Sequence, residues 1–415
     1  MAEKLVVVGQ GPAGLPLAMR AVEAGFRVVG LDEDGWRVKR LNAGEPCAEG
    51  VGAGVGAGAL AAAHASGRYA ASADAADASG FDVCVLTPSV RMRNGVPDLG
   101  PLGSAARRIA PFLRPGATVV LEGTAYPGTT EEFVRPLLEQ GSGLRAGDDF
   151  HLGHSPHRAE PGNPRWRLGN TPKVVSGVDA ASLRAVTDFY GRLVRETVPV
   201  SSPRVSELCA LMESARAQVG AALANELSIF AAHLGVDVWE AVEAAATTPF
   251  GQAAAAPCPG IEDPCLPLDV AYLPWGIRRG VGRGFRLVEA ANDVNAHMPA
   301  QVVDRLCLAL NRRCRSIRGS RILLLGLSPV EVAKTLCRLG ARVRAADPRA
   351  EDCADDFVVP AGVEVVEPDA AELARADAVV VLGGQDCYDY DLVQRASRFV
   401  FDTRGRCRGP NVERL

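Results

Sequence analysis

The chain has 415 residues, 23% of them charged and 47% hydrophobic, and a formal net charge of −4. This composition is typical of a folded protein of two or three domains and excludes a disordered chain. The weakly acidic balance excludes a strongly basic nucleic-acid-binding surface, and no stretch approaches the roughly 20 apolar residues of a membrane helix. The eleven cysteines contain no CxxC pair, which disfavours a zinc ribbon or disulfide framework and favours the reducing cytoplasm.

The N-terminal segment predicts a dinucleotide-binding β-α-β unit. A buried strand at residues 4–9 runs into Gly9-x-Gly11-x-x-Gly14, a helix follows at 15–24, and a second strand ends at Asp32. Such glycines let the backbone approach a pyrophosphate at the helix N-terminus. Asp32 can bond both ribose hydroxyls and repels a 2′-phosphate, so NAD is favoured over NADP. The alternative is a tight turn with a purely structural role.

Alternating strands and helices predict the remaining organisation. After a Gly/Ala/Ser-rich stretch at 48–79, interpreted as helix fragments and loop, strands are predicted near 83–86, 118–121, 150–153 and 173–177. A long helix from Val205 to about Gly235 and helices at 239–247 and 287–312 come next, followed by strands at 321–326, 341–347, 363–366, 378–382 and 399–401. The predicted class is α/β, with two Rossmann-like doubly wound domains joined by a central all-α domain.

The domain boundaries follow from this alternation. We expect an NAD-binding Rossmann domain at residues 1–200, a central helical domain at 201–315 and a C-terminal Rossmann-like domain at 316–415. The last of these has only Gly326 at its first turn, so a second dinucleotide is not expected there. Binding of the substrate's nucleotide and packing on the first domain both remain open.

Two clusters carry reactive side chains. Cys265 lies in a Pro-rich loop, where its thiolate could attack an aldehyde, and Asp269 could then activate water. His151, His154 and His157 lie within one short segment, and imidazole is a common metal ligand. However, an intervening glycine and proline disfavour regular helical presentation, and no acidic or cysteine partner is adjacent, so no metal is predicted.

Taken in order, these segments resemble the nucleotide-sugar 6-dehydrogenases, the UDP-glucose/GDP-mannose dehydrogenase family, and its N-acetylhexosamine branch most closely. The resemblance extends nearly end to end and rests on residues 9–18, 41–44, 86–88, 123–131, 154–162, 172–177, 211–227, 264–269 and 295–299. It implies three domains, a homodimer formed through the central helix, and NAD-dependent oxidation of a nucleotide sugar's C6 alcohol through an aldehyde to the acid.

The same resemblance implies roles for individual residues. Thr87 and Thr124 would contact NAD, and Arg404 matches a substrate-binding arginine. Cys265 would capture the aldehyde, and Asp269 would assist the water that hydrolyses the thioester.

The family's central-helix lysine and asparagine, and a glutamate after Ser-Pro, are replaced here by Ala210, Ser214 and His157. Residues 262 and 263 are acidic where the family has two glycines, and Gly326-Leu327 passes directly to Ser328-Pro329 where the family has a longer loop. Loss of one oxyanion donor typically costs about 10²–10³ in rate. The substitutions therefore point to an altered reaction centre.

Two hypotheses follow. In the first, the protein is an NAD-dependent oxidoreductase acting on a nucleotide sugar through Cys265, with His157 as the base, since imidazole accepts protons near neutrality. In the second, it is a catalytically inactive or redox-neutral NAD-binding relative whose site has been reused.

Overall fold

A computed structural model describes residues 3–45, 57–88, 91–93, 96–158, 166–248, 255–260, 285–348 and 359–415. These residues form two compact units, the first ending at Glu213 and the second beginning at Ser214. Within these ranges no helix is both long and apolar enough to cross a membrane.

The first unit is built on an eight-stranded sheet of order β10-β9-β8-β7-β4-β1-β2-β3. The strands are β1 Lys4–Val8, β2 Arg27–Leu31, β3 Tyr69–Ser72, β4 Val83–Leu86, β7 Thr118–Glu122, β8 His151–Ser155, β9 Lys173–Gly177 and β10 Thr197–Pro199. A separate antiparallel hairpin pairs β5 Arg91–Arg93 with β6 Val96–Asp98. All neighbours in the sheet run parallel except β8 and β9, which are antiparallel.

Both faces of this sheet are covered, which explains the nearly continuous apolar strands. Leu5 and Val7 of β1 join one buried cluster, whereas Val6 and Val8 join another, as strand alternation requires. The helices of this unit are Gly14–Glu23, Gly35–Asn42, Ala57–Ala65, Gly100–Ile109, Arg135–Ser142 and Ala180–Gly191, with 3₁₀ segments at Ala75–Ala78 and Ala110–Phe112 and a π-helical segment at Thr129–Val134.

A 32-residue helix, Pro203–Leu234, follows β10 and is called the central helix below. The next helices are Val238–Ala245 and Arg286–Arg312. Asp237 caps the first of these by accepting the backbone N–H of Trp239.

The second unit contains a six-stranded parallel sheet of order β13-β12-β11-β14-β15-β16. Its strands are β11 Arg321–Leu325, β12 Arg342–Ala346, β13 Glu364–Val365, β14 Ala378–Val381, β15 Val400–Asp402 and β16 Val412–Arg414, and its helices are Val330–Arg338, Ala370–Arg375 and Tyr390–Ala396. Residues of β11 again alternate between two buried clusters, so this sheet is also covered on both faces.

The predicted α/β class with two doubly wound sheets is confirmed. Sequence reasoning missed β3, which lies inside the stretch expected to be weakly defined, and the short edge strands β10 and β16. The first sheet is also not wholly parallel, because β9 reverses beside β8. The division into domains at 1–200, 201–315 and 316–415 stays a prediction.

Candidate functional site

The glycine motif forms a sharp turn at the end of β1. Gly9 has φ +94°, and a Cβ there would lie 2.6 Å from the carbonyl oxygen of Thr87. A Cβ on Gly14 would lie 1.8 Å from the carbonyl oxygen of Gly9, whereas one on Gly11 would meet no protein atom within 4 Å. Gly9 and Gly14 are therefore needed by the turn itself, and Gly11 leaves the backbone open to a ligand.

Asp32 lies at the end of β2, as predicted, and its side chain is hydrogen-bonded to this turn. Its Oδ2 accepts the backbone N–H of Gln10 at 2.8 Å and its Oδ1 accepts that of Asp34 at 3.0 Å. Arg37, which sequence reasoning missed, places Nη1 3.2 Å from Oδ2. The buried carboxylate can accept hydrogen bonds from the ribose hydroxyls of NAD, and the open glycine turn lets backbone N–H groups approach the pyrophosphate. The residues present therefore fit NAD.

The two predicted threonines follow neighbouring strands on the same edge of the sheet. Thr87 follows β4, and its Oγ1 lies 2.9 Å from the carbonyl oxygens of Val8 and Gly9. Thr124 follows β7 and is partly exposed. The strands β1, β4 and β7 are adjacent, so their carboxyl ends lie side by side. The strand order changes direction between β4 and β1, and ligands of such sheets usually bind beside that point.

His157 follows β8 on this same edge and contacts a buried ionic cluster. Its Nδ1 lies 3.4 Å from Oε1 of Glu122, the last residue of β7. Lys173, which begins β9, donates from Nζ to the same oxygen at 2.7 Å, and the Tyr190 hydroxyl donates to Oε2. Glu122 and Lys173 are almost completely buried, so the pair needs this geometry to offset its lost hydration.

Electrostatics in this cluster favour an ionised Glu122. Burial by itself raises the pKa of Glu122. The charge of Lys173 and the hydrogen bonds from His157 and Lys173 outweigh burial and lower this pKa to about 2. Burial, followed by the charge of Glu122, raises the pKa of Tyr190 well above its ordinary value. The phenol therefore stays a hydrogen-bond donor to the carboxylate.

Arg158 attaches the His157 segment to the central helix. Its guanidinium pairs with Glu213, and its Nη1 donates to the carbonyl oxygen of Pro172 at 2.9 Å. Glu213 directly precedes Ser214 and is three residues after Ala210, the two positions predicted from the sequence resemblance to replace a lysine and an asparagine. Ala210 is buried and has no polar side-chain atom, so it cannot stabilise an oxyanion.

The other two histidines of the cluster have different surroundings. His154 is fully buried on β8, with Nδ1 2.9 Å from the Ser206 hydroxyl and Nε2 3.0 Å from the Gly123 carbonyl oxygen. Burial lowers the pKa of His154 to about 4. His151 opens the same strand. No group of three or more His, Cys, Asp or Glu side chains that could hold a metal ion occurs among the residues described above.

Two predicted catalytic residues, Cys265 and Asp269, lie outside the described residues. Arg404 follows β15 at the carboxyl edge of the second sheet, where its Nε donates to the carbonyl oxygen of Leu382 at 2.6 Å. Its own backbone N–H donates to Asp402 at 2.8 Å. Gly326 turns at the end of β11 in that sheet, with φ +91°.

Sequence reasoning also missed Glu122, Lys173, Tyr190 and Arg158. A signal was present for Lys173, because a lysine that opens a buried apolar strand needs an anionic partner. Glu122 ends another such strand, but nothing in the sequence alone places these two strands side by side.

Comparisons with known proteins identify the relatives of this chain. Residues 3–194 match the NAD binding domain of the UDP-glucose/GDP-mannose dehydrogenase family, and residues 204–297 match its central domain. The chain is 31% identical to the NDP-N-acetyl-D-galactosaminuronic acid dehydrogenase of Ralstonia nicotianae, over 96% of this chain and 95% of that protein. It is 32% identical to the UDP-N-acetyl-D-glucosamine 6-dehydrogenase of Pseudomonas aeruginosa, over 86% of each chain.

Solved structures agree with the sequence matches. The UDP-D-ManNAc dehydrogenase of Pyrococcus horikoshii has a TM-score of 0.84 at 25% identity and covers 99% of each chain. A UDP-glucose dehydrogenase of Pyrobaculum islandicum has a TM-score of 0.83 at 25% identity, over 100% of this chain and 96% of that one.

Proposed function

Since this chain belongs to the UDP-glucose/GDP-mannose dehydrogenase family, whose N-terminal domain binds NAD, we propose that it oxidises the C6 alcohol of a nucleotide sugar. The names of its relatives favour a UDP-N-acetylhexosamine as the substrate. The single observation that carries the proposal is His157, a histidine held beside a buried carboxylate on the carboxyl edge of the cofactor sheet.

The residues of the first unit would hold the cofactor. Gly11 would admit the pyrophosphate, Asp32 and Arg37 would face the ribose, and Thr87 and Thr124 would border the site. When bound, NAD supplies the acceptor for the hydride that leaves C6. His157 would accept the proton of the C6 hydroxyl as general base.

The later steps rest on the family resemblance. Cys265 would add its thiolate to the aldehyde carbon, and after the second oxidation Asp269 would assist the water that hydrolyses the thioester and frees the thiolate. Arg404 would bind the nucleotide sugar. In this scheme the NAD-binding domain spans residues 1–200, the central domain 201–315 and the nucleotide-binding domain 316–415. The predicted compartment of the protein is the cytoplasm.

One observation favours a second candidate, a catalytically inactive or redox-neutral NAD-binding relative. Position 210 is a buried alanine and position 214 a serine, where the family resemblance implies a lysine and an asparagine that would stabilise an oxyanion. Such a protein would bind NAD and reduce none of it.

Absorbance at 340 nm with NAD and a panel of UDP-, GDP- and dTDP-sugars separates the two candidates. We expect NADH to form with at least one UDP-N-acetylhexosamine. NAD binding without NADH formation from any sugar would overturn the oxidoreductase proposal in favour of the second candidate.

Replacing Gly11 by alanine is expected to weaken NAD binding by about tenfold or more, or about 1.4 kcal/mol, without loss of the fold. The new methyl group meets no protein atom within 4 Å but occupies the approach path of the pyrophosphate. Titration calorimetry with NAD and a thermal melt measure the two effects. Gly191→Ala is the matched control, since its methyl group also meets nothing within 4 Å, and unchanged affinity in Gly11→Ala would contradict the assigned site.

We propose that the protein is a homodimer joined through the central helix. One face of this helix has an apolar stripe, with Leu223, Leu227, Phe230 and Leu234 each more than half exposed. Their spacing of four, three and four residues is that of a helix-pairing seam. Burying such a side chain contributes about 1.5–3 kcal/mol, and a symmetric dimer uses each one twice.

Leu223→Glu with Leu227→Glu is therefore expected to convert the dimer into a monomer. Light scattering after size-exclusion chromatography measures the molar mass. Leu308→Glu is the matched control because Leu308, at 57% exposure, is as exposed as Leu223, at 58%, but lies on another helix. An unchanged mass for the double variant would place the interface elsewhere.

A further inference from the structure

Three consecutive residues after β8 are held by different parts of the first unit. The carbonyl oxygen of Pro156 accepts a hydrogen bond from Lys173 Nζ at 3.0 Å. His157 lies against Glu122, and Arg158 is paired with Glu213. The residues on both sides of His157 are therefore anchored in the free protein, with the imidazole Nδ1 beside Glu122.

Glu122 can act only as an acceptor towards this ring. Its carboxylate is fully buried and takes a hydrogen bond from Lys173 on one oxygen and from Tyr190 on the other. Because an ionised carboxylate has no proton to give, the Nδ1 atom beside it must carry the hydrogen of the neutral imidazole. The lone pair of His157 is then on Nε2.

The surroundings leave that lone pair available. Nε2 of His157 has no hydrogen-bond partner in the part of the chain the structure describes, and the side chain is 23% exposed. Among the described residues, the charged groups of this segment and of the carboxylate beside it form two ion pairs, Glu122 with Lys173 and Arg158 with Glu213. Neither pair competes for Nε2.

We propose that Glu122 is a positioning residue of the reaction, whose carboxylate selects the Nδ1–H tautomer of His157 and so presents the Nε2 lone pair to the substrate alcohol. This inference rests on the proposed function, because the C6 hydroxyl is the group that loses the proton. The O–H bond breaks, its proton forms the Nε2–H bond, and the C6–H electron pair leaves as hydride to NAD. The proton then passes from Nε2 to solvent.

His154 provides an internal reference. Its Nε2 faces the Gly123 carbonyl oxygen, which also only accepts, so His154 must be the Nε2–H tautomer. Two histidines three residues apart are therefore expected to be opposite tautomers.

Two-bond ¹H–¹⁵N correlation spectra of the uniformly ¹⁵N-labelled full chain read both tautomers without turnover. The His157 signals are assigned by their loss in His157→Gln. We expect the wild type to have protonated Nδ1 at His157 and protonated Nε2 at His154. A wild-type His157 that is protonated on Nε2 would overturn the inference, whatever the variants do.

Glu122→Leu with Lys173→Met removes both buried charges together, a change that buried ion pairs often tolerate. We expect the tautomer population of His157 to move towards Nε2–H, while His154 stays as it is. Populations at His157 equal to those of the wild type would show that Glu122 does not set the tautomer, and would also overturn the inference.

Kinetics separates positioning from binding. In the same double variant kcat is expected to fall about 10²-fold or more, with KM for the sugar unchanged. A rise in KM at constant kcat would contradict a positioning role. If no sugar is oxidised by the wild type, the proposed function fails, whereas the spectra still decide the tautomer by themselves.

Discussion

Replacing Cys265 by alanine is expected to reduce the NADH yield from two per sugar to at most one. Without the thiolate the aldehyde forms no covalent adduct, so the second oxidation has no bound substrate. The product should then be the aldehyde or its hydrate and not the acid. End-point absorbance at 340 nm with limiting sugar, together with mass spectrometry of the product, measures both consequences.

Cys314→Ala is the matched control, because Cys314 is an exposed free cysteine of the second unit. It should leave the yield at two. Two NADH per sugar in Cys265→Ala would contradict the nucleophilic role, and a wild-type yield of one would mean that the oxidation stops at the aldehyde.

Replacing His157 by glutamine is expected to lower kcat by about 10²–10⁴, the usual contribution of a general base. The amide can form hydrogen bonds but accepts no proton at working pH, so the affinity for NAD should not change. Initial rates at saturating sugar and a calorimetric titration with NAD separate the two quantities.

His297→Gln serves as the control for this substitution. His297 is also a histidine near a carboxylate, with Nδ1 3.6 Å from Asp293, but it is exposed on the helix Arg286–Arg312. A His157→Gln protein that keeps the wild-type kcat would eliminate His157 as the base.

These two predictions test how the site would work if, as the sequence resemblance implies, Ala210, Ser214 and His157 replace a lysine, an asparagine and a glutamate. The base would be neutral imidazole in place of a carboxylate, with its Nδ1 directed to the buried Glu122. The Arg158–Glu213 pair connects this arrangement to the central helix three residues after Ala210, the position where the resemblance implies a lysine.

The cofactor half of the site could be predicted from the sequence because its signals are local. The glycine turn, the helix behind it and Asp32 fall within one β-α-β unit, where periodicity and spacing suffice. The structure adds different physical reasons for the three glycines, since Gly11 alone leaves open space.

The ionic cluster beside His157 could not be predicted, because its members are far apart in the chain. Glu122 and Lys173 are 51 residues apart, and Glu122 and His157 are 35 apart. They meet only because β7, β8 and β9 are neighbours, and β9 pairs antiparallel to β8. Sheet order and strand direction are set by packing over the whole unit and not by local pattern.

Sequence reasoning missed three strands for a simpler reason. β3 reads Tyr-Ala-Ala-Ser, and the small residues in it have low strand propensity and occur beside a Gly/Ala-rich stretch. β10 and β16 have three residues each at sheet edges, too few for alternation to be detected.

Isotopic labelling shows whether hydride leaves C6 of a nucleotide sugar. The wild-type protein is incubated with NAD and the most reactive UDP-N-acetylhexosamine carrying deuterium at both C6 positions, and the reduced cofactor is analysed by mass spectrometry. We expect NADH one mass unit heavier than the unlabelled form and slower turnover than with the protiated sugar. Unlabelled NADH, or no NADH while NAD still binds, would contradict hydride transfer from C6.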